Sequence, residues 1–296
     1  MDIKRLQLFL VLAEQLHFTK ASELANVSAP TLSRNIKQLE DEVGAILFNR
    51  NKRSVSLTKQ GEAFLRYART TISEWQMFRS SLNEAGEALS GEVQLFSSVT
   101  ATYSFLYDLL KKVRLAHPHI EVKLNTGDPA LAIERVMKGF EDMAIAARPD
   151  KLHESLAFYS LGSSPLVFIA PNDDGPLGAM INEAINNRSD IPWQKLPFIV
   201  PDQGLSRKRL ADWWHKNGIN PLIYSKVAGN EAAVSMVSLG FGVALIPKVV
   251  VDNSPIKDKV QILAMPDPVP AFDVGLVTKK AHLQQPIMNA IWQLLK

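Results

Sequence analysis

"NVSAPTLSRNIKQLEDEVG", residues 26–44, decides how the first third of this 296-residue chain is read. Ser28 is a good N-cap, because its hydroxyl can accept a hydrogen bond from an orphan N–H of a first helical turn. Pro30 falls within that turn, where a missing N–H costs nothing, so the proline starts a helix and does not break one. Beyond it Leu32, Ile36 and Leu39, with Val43 further on, share one face. Pro30, Ser33, Arg34 and Lys37 follow i, i+3, i+4, i+7 on the opposite face. Glu40, Asp41 and Glu42 come only after that polar face ends. Acids within it would repel phosphate; their placement leaves the face open to a polyanion.

Working outward, Leu6, Phe9, Leu10 and Ala13 lie at helical spacing and predict a first helix with one buried stripe. "TKASELAN" predicts a second short helix with Ala21, Leu24 and Ala25 inward, and "NVS" the turn into the third. Two short helices joined in this way make a helix-turn-helix. The exposed side chains of the second suit the major groove: Arg34 can donate two hydrogen bonds to guanine, Ser33 can reach a base or a phosphate, and Lys37 can pair with phosphate. Ser28, Ala29, Pro30 and Thr31, at the start of that helix, complete the candidate DNA-reading surface. Residues 45–58, "AILFNRNKRSVSLT", switch to near-alternation and predict a hairpin with its tip at "NRNKRS". Arg50, Lys52 and Arg53 make it a basic wing, placed to grip the backbone or probe the minor groove. From Thr58, a suitable cap, to about Leu89 the pattern is one long helix, with Glu62 at its positive end. Leu65, Ala68, Ile72, Trp75 and Leu82 recur at three- and four-residue steps as a narrow dimerisation seam, and Trp75 and Phe78 need a partner to cover them. A basic helix alone would be read as a solvated face. The turn, the capped helix, the basic hairpin and the long helix occur together here.

The stretch "FTKASELANVSAPTLSRNIKQLEDEVGAILFNRNKRSVSLTKQGEAFL", residues 18–65, resembles the N-terminal signature of LysR-type transcriptional regulators. The resemblance implies a mainly α winged helix-turn-helix over residues 1–58, a linker and dimerisation helix over 59–90, and an α/β effector domain over 91–296. That domain would have two lobes of periplasmic-binding-protein type, lobe I about 91–161 and 268–296 and lobe II about 162–267. It implies a cytoplasmic regulator whose partners are double-stranded DNA and RNA polymerase. The long helix would pair antiparallel with its mate, and two dimers would join as a homotetramer. A two-fold dimer reads an inverted repeat, because protein symmetry imposes operator symmetry. The family often carries glutamine where this chain has Ala29. The alanine side chain offers no hydrogen bond and could pack on a thymine methyl, which implies a different base preference.

Bulk composition agrees without deciding. Hydrophobic residues make up 46% and charged residues 21%, enough for a proper core, and the net charge is +3. With no cysteine in the sequence, disulfide scaffolds, thiolate metal sites and cysteine nucleophiles are excluded. The apolar N-terminal stretch is interrupted by Glu14 and Gln15 and lacks a cleavage site, so it reads as a folded helix and not a signal peptide. No run approaches the roughly 18 apolar residues of a membrane span.

"GEALSGE", residues 86–92, marks a boundary, after which strands and helices alternate and predict parallel sheets with helices on both faces. Ligands in such sheets bind beyond the carboxyl ends of strands. "LFSSVTATY" enters a helix there, and Ser98 and Thr100 with the adjacent backbone N–H groups offer a carboxylate site; plain capping is the competing reading. Thr126 at a second strand end, Gln203 at another and Asn230 in "AGNE" join the candidate effector residues. Arg148, after "DMAIAA", is a cationic candidate, whereas "SRKR", residues 206–209, reads as a solvated helix face. "GFG" at 240–242 precedes a strand, the wrong order for a dinucleotide loop. "HPH" at 117–119 reads as a turn, "HES" at 153–155 lacks the second histidine of a zinc protease, and no nucleophile elbow is present. No catalytic constellation, cofactor or metal site is expected. The stretches "LSGEVQLFSSVTATYSF", "EVKLNTGD", "DMAIAARP", "PDQGLSRKR" and "VAGNEAAVSMVSLGFGVALIP" carry a narrower resemblance, to family members that activate an acetohydroxy acid isomeroreductase gene; it implies acetolactate or acetohydroxybutyrate as inducer, in branched-chain amino acid biosynthesis. Two alternatives stay open: a regulator of this type answering another small carboxylate, and an α/β solute-binding or catalytic protein with a helical dimerisation arm.

Overall fold

The computed structural model describes residues 2–50, 54–82, 89–173 and 175–296, which fall into two compact units divided after Ala88. In the first, α1 (Ile3–Gln15) is capped by Asp2, whose carboxylate accepts from the Arg5 N–H at 2.8 Å, and α2 spans Phe18–Leu24. The turn after α2 is closed by the Val27 N–H donating to the Ser22 carbonyl at 3.0 Å. It carries Asn26 at φ 51, a left-handed conformation that asparagine tolerates better than most residues. Helix α3 (Ala29–Val43) begins as expected: the Ser28 hydroxyl accepts from the Thr31 N–H, Pro30 sits in the first turn, and Gly44 ends the helix at φ 73.

Two apolar assignments are corrected here. Leu24 is exposed, not inward, and α2 buries Ala21 and Ser22. At 100° per residue the inward arc runs through Phe18, Ala21, Ser22 and Ala25, and Leu24 lies outside it. The buried stripe of α3 comprises Leu32, Ile36 and Leu39 and stops there; Val43, in the last turn, is exposed.

Strands β1 (Phe48–Arg50) and β2 (Val55–Leu57) pair antiparallel, and α4 (Lys59–Leu82) follows. The Thr58 hydroxyl caps α4 through the Gly61 N–H at 2.9 Å and donates to the Ile46 carbonyl at 2.7 Å, tying the helix start to the hairpin base. Gly61 is required at this junction, because a Cβ there would lie 2.0 Å from the Leu47 carbonyl oxygen. Phe9 of α1 packs against Phe48 and Phe64, with ring centroids 5.2 and 4.9 Å away.

Helix α4 overturns part of the expected seam. Leu65, Ala68 and Ile72 are buried within this unit, where α1 lies along the first half of α4, so their partner is the chain's own core. Trp75 and Phe78 remain exposed, with ring centroids 5.9 Å apart. The Leu82 side chain, Lys52 and Arg53 lie outside the described residues.

The second unit holds two lobes. In lobe I, β3 (Gly91–Ser97), β4 (Ile120–Thr126), β5 (Met143–Ala147), β6 (Leu156–Ser164) and a late strand, Phe272–Lys279, form one sheet in the order β4-β3-β5-late-β6. A short helix, α5 (Val99–Ala101), continues through a π-helical stretch into α6 (Tyr107–Ala116), and α7 (Ala132–Lys138) leads to β5. In lobe II, β7 (Leu166–Pro171), α8 (Pro176–Asn186), β8 (Pro197–Pro201), α9 (Gly204–Lys216), β9 (Leu222–Val227), α10 (Asn230–Ser238), β10 (Ala244–Pro247), α11 (Lys248–Asp252) and β11 (Val260–Leu263) follow in order. The late strand, β12, and α12 (Pro286–Gln293) return to lobe I. Pro165 and residues 264–271 form the two crossings.

The sheets are not all parallel: the lobe I sheet is mixed, the β10-β7-β11 sheet is antiparallel, and only the β8-β9 pair is wholly parallel. β3 pairs in parallel with β4 and β5, but β12 runs antiparallel to β5 and β6, and β7 runs antiparallel to β10 and β11. The chain re-enters lobe I from the far lobe, and that return direction reverses β12. Lobe II has an aromatic core in which Phe168, Trp193 and Trp213 lie within 5.0 Å of one another, centroid to centroid.

Candidate functional site

On α3, Pro30, Thr31, Arg34 and Lys37 are exposed, Ser33 and Ala29 are half-buried, and Leu32, Ile36 and Leu39 are fully covered on the other side. Among the described residues neither Arg34 nor Lys37 has an acidic partner. Two of the three acids that follow, Glu40 and Glu42, are occupied elsewhere. Glu42 pairs with Arg5. Glu40 accepts from the Leu47 and Phe48 N–H groups at 2.8 and 3.1 Å, and its other oxygen pairs with Arg50 at 2.6 Å. Arg50 also lies 5.3 Å above the Phe18 ring. Its guanidinium therefore joins the hairpin to α2 and α3 inside the unit, unlike Arg34 and Lys37. Ser28 and Thr31 share a hydroxyl–hydroxyl bond of 2.8 Å beside the cap.

Between the lobes of the second unit lies a cavity of about 260 Å³. Ser98, Thr100, Gln203 and Asn230 line it, supplied by the end of β3, the start of α5, the residue before α9 and the first residue of α10. Thr126 and Arg148 do not. Thr126 is exposed at the end of β4, and it is Asp128 and Ala130 just beyond that reach the cavity wall. Arg148 turns away, pairing with Asp273 at 3.8 Å and lying 5.5 Å above the Phe158 ring. The rest of the wall is largely apolar, with Ile133, Ile145, Ile199, Leu245 and Val250 among it. Asp128 is charged; no Lys or Arg is among the lining residues. A carboxylate in this space would depend on N–H and hydroxyl donors.

Those donors are set out at the α5 start. The Ser98 hydroxyl accepts from the Ala101 N–H at 3.2 Å, so the capping reading of that residue holds as well. Thr100, 2% exposed, directs its N–H and its hydroxyl at one oxygen of Glu231, at 3.2 and 2.7 Å. Glu231 belongs to α10, so these bonds cross between the lobes. Sequence reasoning passed over Glu231; its place one residue after Asn230 in "AGNE" was the available signal. The "SRKR" segment is not a wholly solvated face. Lys208 pairs with Asp150 of lobe I, which holds the Asp150 carboxyl below its ordinary range. Arg209 donates to the Pro270 and Ala271 carbonyls at 2.5 and 2.9 Å and lies 4.6 Å above the Phe272 ring.

The excluded motifs have structural roles. "GFG" turns from α10 into β10, and a Cβ on Gly242 would lie 2.6 Å from the Pro197 carbonyl oxygen. "HPH" closes the turn between α6 and β4, the Ile120 N–H donating to the His117 carbonyl at 3.0 Å. Among the described residues no group of three or more His, Asp or Glu side chains could hold a metal, and no helix is long and apolar enough to cross a membrane.

A helix-turn-helix with a free basic face, followed by a two-lobed unit with a cavity between the lobes, defines a ligand-responsive DNA-binding regulator. The chain belongs to the LysR family of transcriptional regulators: residues 3–62 match the bacterial regulatory helix-turn-helix of the lysR family, and residues 86–296 match the LysR substrate binding domain. It is 40% identical over 297 residues to the HTH-type transcriptional activator IlvY of Haemophilus influenzae, covering 100% of both chains. It is 42% identical to the HTH-type transcriptional regulator IlvY of Escherichia coli, covering 100% of this chain and 99% of that one. Among solved structures, a full-length OxyR variant from Pseudomonas aeruginosa superposes with a TM-score of 0.67 at 23% identity, covering 100% of this chain and 93% of the other. Full-length CbnR in complex with its target DNA gives 0.64 at 18% identity, covering 100% and 99%. The protein is thus a DNA-binding transcription regulator with a small-molecule-binding domain, and not an enzyme. The alternative of a solute-binding or catalytic α/β protein is set aside.

Proposed function

We propose that this regulator activates a branched-chain amino acid biosynthesis gene, that of an acetohydroxy acid isomeroreductase, when acetolactate or acetohydroxybutyrate occupies the cavity between the lobes. One observation carries the proposal: the chain matches IlvY from end to end, and its cavity suits that ligand chemistry. Each inducer has a carboxylate, a tertiary hydroxyl, a ketone and one or more small alkyl groups. Thr100, Ser98, Gln203 and Asn230 supply hydroxyl, amide and N–H groups for the first three, and the isoleucine-rich wall takes the last. A volume of about 260 Å³ lies below the roughly 300–1,000 Å³ typical of drug-sized sites, as a small acid requires.

At the DNA, Arg34 reads bases while Lys37 and the start of α3 hold phosphates of an inverted repeat. The exposed Trp75 and Phe78 on α4 are the surface best suited to a second copy, and the working form is a cytoplasmic homodimer or homotetramer that contacts RNA polymerase. The inducer acts through different affinities for two arrangements of the assembly, re-angling the dimers and relaxing the DNA bend. Autorepression through the same operator belongs to this reading.

In vitro transcription from the regulator's own target promoter, with a panel of 2-keto and 2-hydroxy acids, tests it. Acetolactate or acetohydroxybutyrate should activate, and Thr100→Val should abolish that response with operator affinity unchanged. Activation by a different acid alone would replace the inducer. Normal induction of Thr100→Val would remove Thr100 from the site.

A further inference from the structure

The donors that a ligand carboxylate needs are already engaged. Thr100 points both its N–H and its hydroxyl at Glu231 Oε1, at 3.2 and 2.7 Å, and the Tyr103 hydroxyl donates in turn to Thr100 Oγ1 at 3.4 Å. Glu231 Oε2 rests beside Gly229, a residue of the cavity wall: a Cβ built there would be 3.6 Å away. Thr100 also lines the cavity and is buried, whereas Glu231 is exposed on the first turn of α10. A glutamate at that position favours the positive end of its own helix and could remain in solvent. Here it reaches the other lobe, where its bonds are charge-assisted and stronger than neutral ones.

Among the described residues no Lys or Arg lines the cavity, so an incoming carboxylate relies on neutral donors there. A carboxylate seated on the Thr100 N–H and hydroxyl meets the Glu231 carboxylate there, and two carboxylates on one pair of donors repel each other. Ligand and Glu231 cannot both occupy them.

We propose that Glu231 is a built-in stand-in for the effector's carboxylate, a latch that joins the two lobes and that the effector must displace. Binding then exchanges a bond between lobes for a bond to ligand. That exchange couples occupancy of the cavity to freedom of α10 and the lobe behind it. It also sets an affinity threshold: the ligand's apparent affinity is reduced by the fraction of molecules in which the latch is shut. A weak carboxylate present in excess would not cross it. This inference rests on the effector reading given above, and two measurements on the full-length protein keep their failures apart.

The first uses no ligand. Hydrogen–deuterium exchange of the segment containing Thr100 should quicken in Glu231→Ala and in Glu231→Asp, which keeps the charge but falls short by one methylene. Glu231→Gln, which retains an acceptor oxygen, should fall between them and the native protein. Unchanged exchange in Glu231→Ala would overturn the latch whatever any ligand does. The second is calorimetric titration with acetolactate. Glu231→Ala should bind it about three- to tenfold more tightly than the native protein, the gain expected when a state shut most of the time is opened. Equal or weaker binding would overturn the competition. Failure of acetolactate to bind any of the proteins, with the exchange difference intact, would instead overturn the effector assignment.

Discussion

Arg34 and Arg50 show how much a residue's surroundings decide what it can do. Both are cations that the sequence assigns to DNA, yet Arg34 on α3 is unpaired among the described residues, while Arg50 on β1 is held by Glu40 and the Phe18 ring. Arg34→Ala should therefore reduce discrimination between operator and mutated operator by about 5- to 150-fold, the value of one bidentate base contact at about 1–3 kcal/mol. A mobility-shift series on single-base operator variants checks this, and unchanged discrimination would show that Arg34 binds only phosphate. Helical spacing made Arg34 legible in the sequence. The Glu40–Arg50 pair was not, because it joins an α-helix to a strand across a turn whose geometry no local pattern encodes.

His282 gives a prediction of a different kind. Burial holds its imidazole below the ordinary pKa near 6.5, outweighing the Asp142 carboxylate 4.0 Å away that favours the charged form, while Lys279 adds to the lowering. The folded protein thus binds this proton less readily than the unfolded chain does. Between the lowered folded value and about pH 6.5, stability falls as pH falls, and it is restored as pH rises through that window. Urea unfolding of the native protein and His282→Asn between pH 8 and pH 5 should show the variant losing less stability on acidification; parallel pH profiles would contradict this.

At the scale of elements, the signals that carried the reading were caps and periodicities. Ser28 caps α3, Pro30 starts it and Thr58 caps α4, because each uses a side chain one turn or less from its target. The face of α4 was harder. Its apolar steps at Leu65, Ala68 and Ile72 fit a dimer seam and a packed intrachain helix equally well, and only the path of α1 decides between them. The direction of β12 was also out of reach, since it depends on where the chain re-enters lobe I. Gly61 escaped notice for a similar reason: its need is set by the Leu47 carbonyl, fourteen positions earlier in the chain. Any side chain there must drive α4 away from the hairpin base. Gly61→Ala should cost about 3 kcal/mol in the first unit, the upper range for overpacking. Thermal or urea unfolding that leaves this unit within experimental error of native would contradict the contact.

For the whole molecule, the division of labour between two units was visible in the change from helical periodicity to strand–helix alternation near "GEALSGE". The cavity was half visible. Ser98, Thr100, Gln203 and Asn230 line it because each sits at or near the end of a strand or the start of a helix, which sequence patterns locate. Arg148 and Thr126 are also at strand ends, and their side chains point elsewhere. Strand position therefore predicts the level of a residue in the sheet, but the side chain's direction depends on neighbours such as Asp273 and Phe158.

The central claim is that α3 presents an unpaired basic face to duplex DNA. Its most direct test is the equilibrium affinity of the full-length protein for its operator, measured by fluorescence anisotropy across a salt series. The log of the binding constant should fall linearly with the log of salt concentration, and Lys37→Ala should lower the magnitude of that slope by about 1. Absence of binding at low ionic strength, or a slope that Lys37→Ala and Arg34→Ala both leave unchanged, would contradict it.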